Sequence, residues 1–155
     1  YIDKSGEPNT FEFYIESKGV LEPHIILING IIIIINKINL FLKNLKNTLS
    51  DTKSSIKINE STGLMKAFDI TIENENHTLG YLLQHYINEY LNEKGIYNGF
   101  IGYLNPHPLE KKIIFKLSIP DIDISKLNEI FTESSAKILN ILESLKEDLK
   151  SEFIR

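Results

Sequence analysis

The stretch NGIIIIINKINLFLKNL (residues 29–45) is the most apolar part of the chain, and its reading decides how the rest is arranged. Five consecutive isoleucines must be covered by lipid, by a sheet interior, or by another helix of the same or a neighbouring subunit. Lipid fits poorly, because Asn29 and Gly30 on one side and Asn36 and Lys37 on the other confine the run. It falls far short of the roughly 20 apolar residues that span a bilayer. Residues 1–10 are polar and do not resemble a signal peptide. A strand is favoured by the β-branching of isoleucine, but the residues after the run favour a helix. Ile34, Ile35, Ile38, Phe41, Leu42, Leu45 and Leu49 recur at spacings of three and four, the stripe of an amphipathic helix. The spacing predicts one helix over residues 22–49, with Pro23 in its first turn, where a missing N–H does no harm. Upstream, TFEFYIES (residues 10–17) alternates Phe11, Phe13 and Ile15 against Glu12, Tyr14 and Glu16, which predicts a half-buried strand before a turn at Gly19.

Composition bounds the class. With 155 residues, 42% hydrophobic and 25% charged, the chain suits one compact domain or two interlocked small ones. It has no cysteine, so disulfides and thiolate metal sites are excluded and a reducing compartment fits. Net charge is −4, with the basic residues scattered. A protein that grips nucleic acid by itself presents a basic stripe, so any nucleic-acid role here is indirect. The expectation is a soluble intracellular protein without a membrane partner.

Comparison of the chain with itself supplies a partner for the apolar helix. At an offset of 104 residues, Phe11, Phe13 and Ile15 fall on Phe115, Leu117 and Ile119 without a gap. At the same offset Ile34, Ile35, Ile38, Phe41, Leu45 and Leu49 fall on Ile138, Leu139, Leu142, Leu145, Leu149 and Phe153. The second copy again reads as a strand (residues 112–119), a turn at Pro120 and a long amphipathic helix (residues 123–153). Any two amphipathic helices can be slid into register; the strand at the same offset is what favours a repeat. The second copy is preceded by residues 56–112, the first only by YIDKSGEPN, which suggests the C-terminal part of a longer tandem protein.

Between the copies lies the charged, Ser-rich linker SDTKSS (residues 50–55). KAFDITIE (residues 66–73) then alternates Phe68, Ile70 and Ile72 as a strand. Residues 74–95 predict a helix with a Thr or Asn cap and Gly95 as its stop. Its apolar face comprises Leu79, Leu82, Leu83, Tyr86, Ile87, Tyr90 and Leu91. Residues 96–119 read as two strands joined by a loop at Pro106 and Pro108.

Two motifs at this spacing, ENHTLGYLL (residues 75–83) and GFIGYLNPHP (residues 99–108), resemble a known signature. It is that of the small α-like subunit of multisubunit DNA-dependent RNA polymerases, the eukaryotic eleventh-subunit type or its archaeal L-type counterpart. The resemblance covers residues 56–153. FEFYIESKGVLEPHIILINGI (residues 11–31) is similar to the end of the partner subunit, the eukaryotic third-subunit type or its archaeal D-type counterpart, over residues 1–49. Having both in one chain resembles the fused forms of some large DNA viruses. The resemblance implies an α+β fold of two α-like dimerisation units, each a small antiparallel sheet with helices on one face, paired through long C-terminal helices. Residues 1–49 would be an incomplete D-like unit, 50–55 a linker and 56–155 the L-like domain. The pairing seam would use Ile34, Ile35, Ile38, Phe41 and Leu45 against Ile138, Leu139, Leu142, Leu145 and Leu149. Motif residues available for partner docking would be His77, Thr78, Leu79, Gly80, Leu83, Gly102, Tyr103, Pro106, His107 and Pro108. The implied role is a non-catalytic platform for the large catalytic subunits, with small zinc-binding assembly subunits among its partners. No cofactor and no direct nucleic-acid contact are implied. The implied location is the nucleus, or a cytoplasmic viral factory and virion. One departure is Tyr81, where the family commonly has Asn; an amide hydrogen bond is lost there.

Two rival readings remain. A small enzyme could use His77, His85 and Glu75, and a free-standing dimerisation module could act without any polymerase. The enzyme is disfavoured because His77 and His85 are eight apart, not the three or four that brings ligands onto one helix face. His107, between two prolines, suits shape recognition better than proton transfer. Glu73 and Glu75 favour the helix dipole, and no P-loop, nucleophile elbow or aspartate cluster occurs. Gly80 is more telling. Glycine inside a helix costs about 1 kcal/mol relative to alanine, so it signals close approach by something, either within the domain or from a partner. Gly102 and Tyr103 leave the same two possibilities open.

Overall fold

A computed structural model of the chain describes residues 6, 10–48, 54–61, 66–107 and 109–153. The element order is α1 (Pro23–Thr48), β1 (Ile56–Glu60), β2 (Phe68–Glu73), α2 (His77–Glu93), β3 (Phe100–Leu104), β4 (Lys112–Ser118) and α3 (Ile124–Phe153). The four strands form one antiparallel sheet in the order β1-β2-β4-β3. Period-two alternation sets its faces: Phe68, Ile70, Ile72, Ile113, Phe115 and Leu117 are buried, while Asp69, Thr71, Lys112 and Lys116 lie on the other side. Phe115 sits opposite both Ile70 and Tyr103, at the centre of the sheet. The helices cover the buried face, and Phe131 of α3 meets Phe115 with ring centroids 5.7 Å apart.

Local chemistry places the helix ends. Asn76 is extended and its side-chain oxygen accepts from the Thr78 N–H at 3.1 Å, so the cap of α2 is Asn rather than Thr. Gly95, at φ +70°, takes the left-handed turn that ends it. For α3, Asp123 accepts from the Lys126 N–H at 2.7 Å, just after the Pro120–Asp121 turn.

The helix over residues 22–49 is realised as α1, with Leu49 outside the described residues. α1 is 26 residues long, and its most apolar 18-residue window has a mean hydropathy of 2.2, so by length and composition it could cross a membrane. The five-isoleucine run understates this, because Ile25, Ile26, Leu27 and Ile28 extend it upstream. In the fold, Ile28, Ile31, Ile35, Ile38, Phe41 and Leu45 lie in the interior, which accounts for part of the apolarity, while Ile25, Ile26, Leu27, Ile33 and Leu40 stay exposed. Lys37 anchors another side of the helix, 2.7 Å from the buried Glu75 carboxylate at the entry to α2.

One expectation is corrected. Residues 10–17 form no strand: Phe11, Phe13 and Tyr14 stand exposed, Phe13 at 86%. Alternation can only be satisfied next to a sheet edge, and no described strand pairs with this segment. The described residues contain one sheet, belonging to one α+β unit.

Candidate functional site

Two features stand out: the seam between the long helices, and the cluster built by the ENHTLG and GFIGYL segments. Across the seam, Phe41 and Phe131 lie 5.7 Å apart, and at the far end His24 stacks on Phe153 at 5.5 Å. The N-terminal end of α1 thus meets the C-terminal end of α3, and the helices run antiparallel. Both stripes face this contact through the three- and four-residue spacing.

The structure brings together most of the predicted seam and shifts its centre. Ile35, Ile38, Phe41, Leu45 and Ile138 are buried, and Ile34, Leu139 and Leu142 pack half-buried at its margin. Leu149 is also half-buried, but Leu145 is 44% exposed and lies outside the interior. The distal half of α3 runs beyond the sheet, so α1 covers one of its sides and nothing described covers the next. Beyond the predicted set, Ile28, Ile31, Leu127, Ile130, Phe131, Ser134 and Ser135 are buried as well. The isoleucines and Leu127, Ile130 and Phe131 continue the same stripes and were legible from spacing. The serines were not, since residue type places serine on the surface.

In the motif cluster, Gly80 lies beneath Tyr103. A Cβ at Gly80 would stand 2.4–2.8 Å from three ring carbons of Tyr103, so the glycine serves packing within the domain. Tyr103 is held further by its hydroxyl, 3.1 Å from His77 Nδ1, and by its N–H, which donates to Gln84 Oε1 at 3.3 Å. Its ring packs edge-on to Tyr81 at 5.1 Å and tilted to Phe115 at 5.7 Å. Tyr81 thus contributes an aromatic contact at this motif position. Gly102 is lain upon by Phe100, whose Cζ would be 2.9 Å from an added Cβ. Leu79 and Leu83 are core residues and closed to any partner; His77, Thr78, Pro106 and His107 are exposed, and Pro108 lies outside the described residues.

Gly80→Ala is expected to destabilise by about 1–3 kcal/mol through overpacking. Adding Tyr103→Leu should recover part of the loss, a coupling readable from urea unfolding of the four variants. A second expectation concerns alkaline pH. Burial, then the hydrogen bond with Tyr81, pushes the Tyr103 phenol up to about 12 from 10.0. A raised folded-state pKa means that the native state holds its proton more tightly. The contribution is complete below pH 10 and is lost as pH climbs through about 12. Tyr103→Phe should flatten that part of the stability profile.

The histidines are not brought together. His77 engages Tyr103, His85 lies 3.8 Å from Glu89, and Glu75 is occupied by Lys37. The His107 ring accepts from the Leu109 N–H at 3.2 Å and its own backbone N–H donates to Asn105, which fixes a tight loop. Among the described residues no three His, Asp or Glu side chains converge as a metal site would need. A cleft of about 480 Å³ between the end of α2 and the start of α3 is lined by Tyr90, Tyr97, Ile119, Ile130, Lys94 and Lys126, among others, but by no histidine. Burial, with Glu129 and Glu133 nearby, raises the Tyr90 phenol there.

Among the described residues apolar side chains remain exposed on several surfaces, including Ile33 and Leu40 along α1, Phe100 and Leu104 on edge strand β3, Ile141 and Leu145 on α3, and Phe11, Phe13 and Ile15 before α1. Such surfaces are characteristic of a protein that meets others. The family described as the RNA polymerase Rpb3/Rpb11 dimerisation domain matches residues 67–148, from the start of β2 to near the end of α3 and over more than half of the chain. That family is one of non-catalytic polymerase assembly subunits that associate with other polymerase subunits. With its four-stranded antiparallel sheet under two long helices, the chain belongs to the RNA polymerase Rpb3/Rpb11 dimerisation-domain family, as an α-like polymerase subunit.

Proposed function

We propose that the chain is a fused assembly subunit of a DNA-dependent RNA polymerase. In this reading residues 1–49 are the end of a third-subunit or D-like unit, residues 50–55 link, and residues 56–155 are an eleventh-subunit or L-like domain. One observation carries the proposal. α1 lies wholly outside the matched residues, yet it packs along α3 and supplies one side of the buried seam. That is how a partner subunit's helix would behave, and the linker converts the partner into part of the same chain. The exposed apolar surfaces support a platform role, since the large catalytic subunits and small zinc-binding assembly subunits would cover them. His77, Thr78, Pro106 and His107, exposed beside β3, are the motif residues free to take part. The corresponding location is the nucleus, or a cytoplasmic viral factory and virion for a viral enzyme.

Affinity purification of the tagged chain from its native source tests this. Stoichiometric recovery of both large polymerase subunits is expected; recovery without them would favour the free-standing module. Stoichiometric zinc or iron in the purified chain alone would favour the enzyme built on His77, His85 and Glu75. His107→Ala is expected to weaken recovery of the large subunits severalfold while leaving the melting temperature within about 2 °C, as an exposed loop substitution should. Loss of RNA synthesis by a fully assembled His107→Ala polymerase would count against a purely recognitional role.

A further inference from the structure

Glu75 opens the ENHTLG motif, and neither a helix-dipole role nor a metal site accounts for where the fold puts it. It is 9% exposed, and its carboxylate stands 2.7 Å from the Lys37 ammonium of α1. Among the described residues this is the only ion pair between α1 and the rest of the chain. A small groove of about 140 Å³ beside Glu75 is lined by Leu40 and Asn44 of α1, and no cation lines it. A buried carboxylate is tolerated only with its counter-ion, so the helix in this seat must deliver one. Apolar burial, which drives the rest of the seam, is non-directional. At the 104-residue offset α3 carries Leu139, Leu142, Leu145 and Leu149 where α1 carries Ile35, Ile38, Phe41 and Leu45. By apolar content, therefore, α3 of a second copy suits the seat as well as α1 does. The charges differ. In place of Lys37 α3 has Ile141 (141 − 37 = 104), and in place of Asn44, on the groove, it has Asp148. A second copy's α3 would bring Glu75 no cation and one further carboxylate. Lys137, one turn before Ile141, is held by Glu89 and Glu93 of its own domain at 3.1 and 2.7 Å.

We propose that Glu75 is the residue by which the domain accepts α1 and refuses a second copy's α3, with Lys37 as the feature it reads. Discrimination between two apolar helices then comes from the penalty on the wrong one, a carboxylate left buried without its cation. The inference rests on the reading of α1 as a partner subunit's helix and adds its chemistry: an apolar helix with a lysine at this level.

A protease site placed within residues 50–55 of the full chain, and cut after folding, leaves α1 held by contact alone. Light scattering on a sizing column then reads which pieces stay together at micromolar concentration. The native and Lys37→Arg chains should keep α1 on the domain one to one. Lys37→Met retains the apolar stem but not the charge, and should weaken retention by roughly tenfold or more. Adding Glu75→Gln to Lys37→Met should restore retention, because a neutral seat accepts a neutral helix. Ile141→Lys with Lys37→Met gives the cation to α3 instead. Ile141 is 45% exposed and tolerates the change, and the domain pieces should now pair with each other. Circular dichroism of each uncut chain checks folding; where Lys37→Met alone does not fold, its combination with Glu75→Gln decides. Native retention of the Lys37→Met helix would overturn the proposal. So would failure of Glu75→Gln to restore retention, or of Ile141→Lys to bring domain pieces together. These readouts use the purified chain, so failure to recover a polymerase would leave them standing, and their failure would leave polymerase association intact.

Discussion

Ile38→Asp is expected to abolish cooperative folding. Ile38 is fully buried in the cluster that joins α1, α3 and the sheet. An aspartate there must either ionise without a partner or take up a proton, and either course costs several kcal/mol. The whole stability of a domain this size is about 5–15 kcal/mol. Lys37 cannot rescue the charge, because its ammonium is already 2.7 Å from Glu75 on another side of the helix. The control is Ile33→Asp on the same helix, where the side chain is 58% exposed and the change should stay within about 0.5 kcal/mol. Leu142→Asp, at the half-buried margin of the seam, should fall between the two. Urea unfolding followed by circular dichroism reads all three. A native midpoint for Ile38→Asp would refute the packing of α1 described above.

Phe131→Ala should cost about 3–5 kcal/mol, the upper range for core truncation. The reason is position rather than size alone. Phe131 is fully buried and its ring meets Phe41 of α1 at 5.7 Å and Phe115 of β4 at 5.7 Å, so one side chain couples both long helices to the sheet centre. Its removal opens a cavity that three elements would have to close together. A local shift toward one wall of that cavity moves away from another, so the dispersion attraction of the ring cannot be regained on every side. Phe131→Leu, which keeps most of the volume, should cost far less, and the difference between the two variants measures the cavity. An alanine variant as stable as the leucine variant would mean that α1 collapses onto the sheet without this ring.

How much of this was legible in the sequence depends on the range of the interaction involved. The long helices were legible because three- and four-residue spacing is a property of neighbouring turns, and α1 and α3 appear where Ile34 to Leu45 and Ile138 to Leu149 place them. The α2 cap was legible because Asn76 bonds a backbone group two residues away. The strand predicted over residues 10–17 fails for the complementary reason. Alternation of Phe11, Phe13 and Ile15 states what a strand would bury, but a strand exists only when another supplies its hydrogen bonds, and none of the described residues does. Gly80 shows the limit from another side: its cost in a helix announced a close neighbour without identifying it, and only the folded sheet brings Tyr103 from 23 residues away.

The sequence by itself determined the three helices, the strands β2, β3 and β4, the polymerase-subunit motifs and the two apolar stripes, because each is written in patterns that repeat within a few turns or strands; β1 and the absence of a strand over residues 10–17 were not written there. Only the tertiary structure decided that the stripes meet antiparallel, that Leu145 escapes the seam, and that Ser134 and Ser135 are buried. Which side chain is buried depends on what lies across from it. That is fixed by the sheet position and by the register of two helices separated along the chain by all four strands, not by any neighbour in sequence.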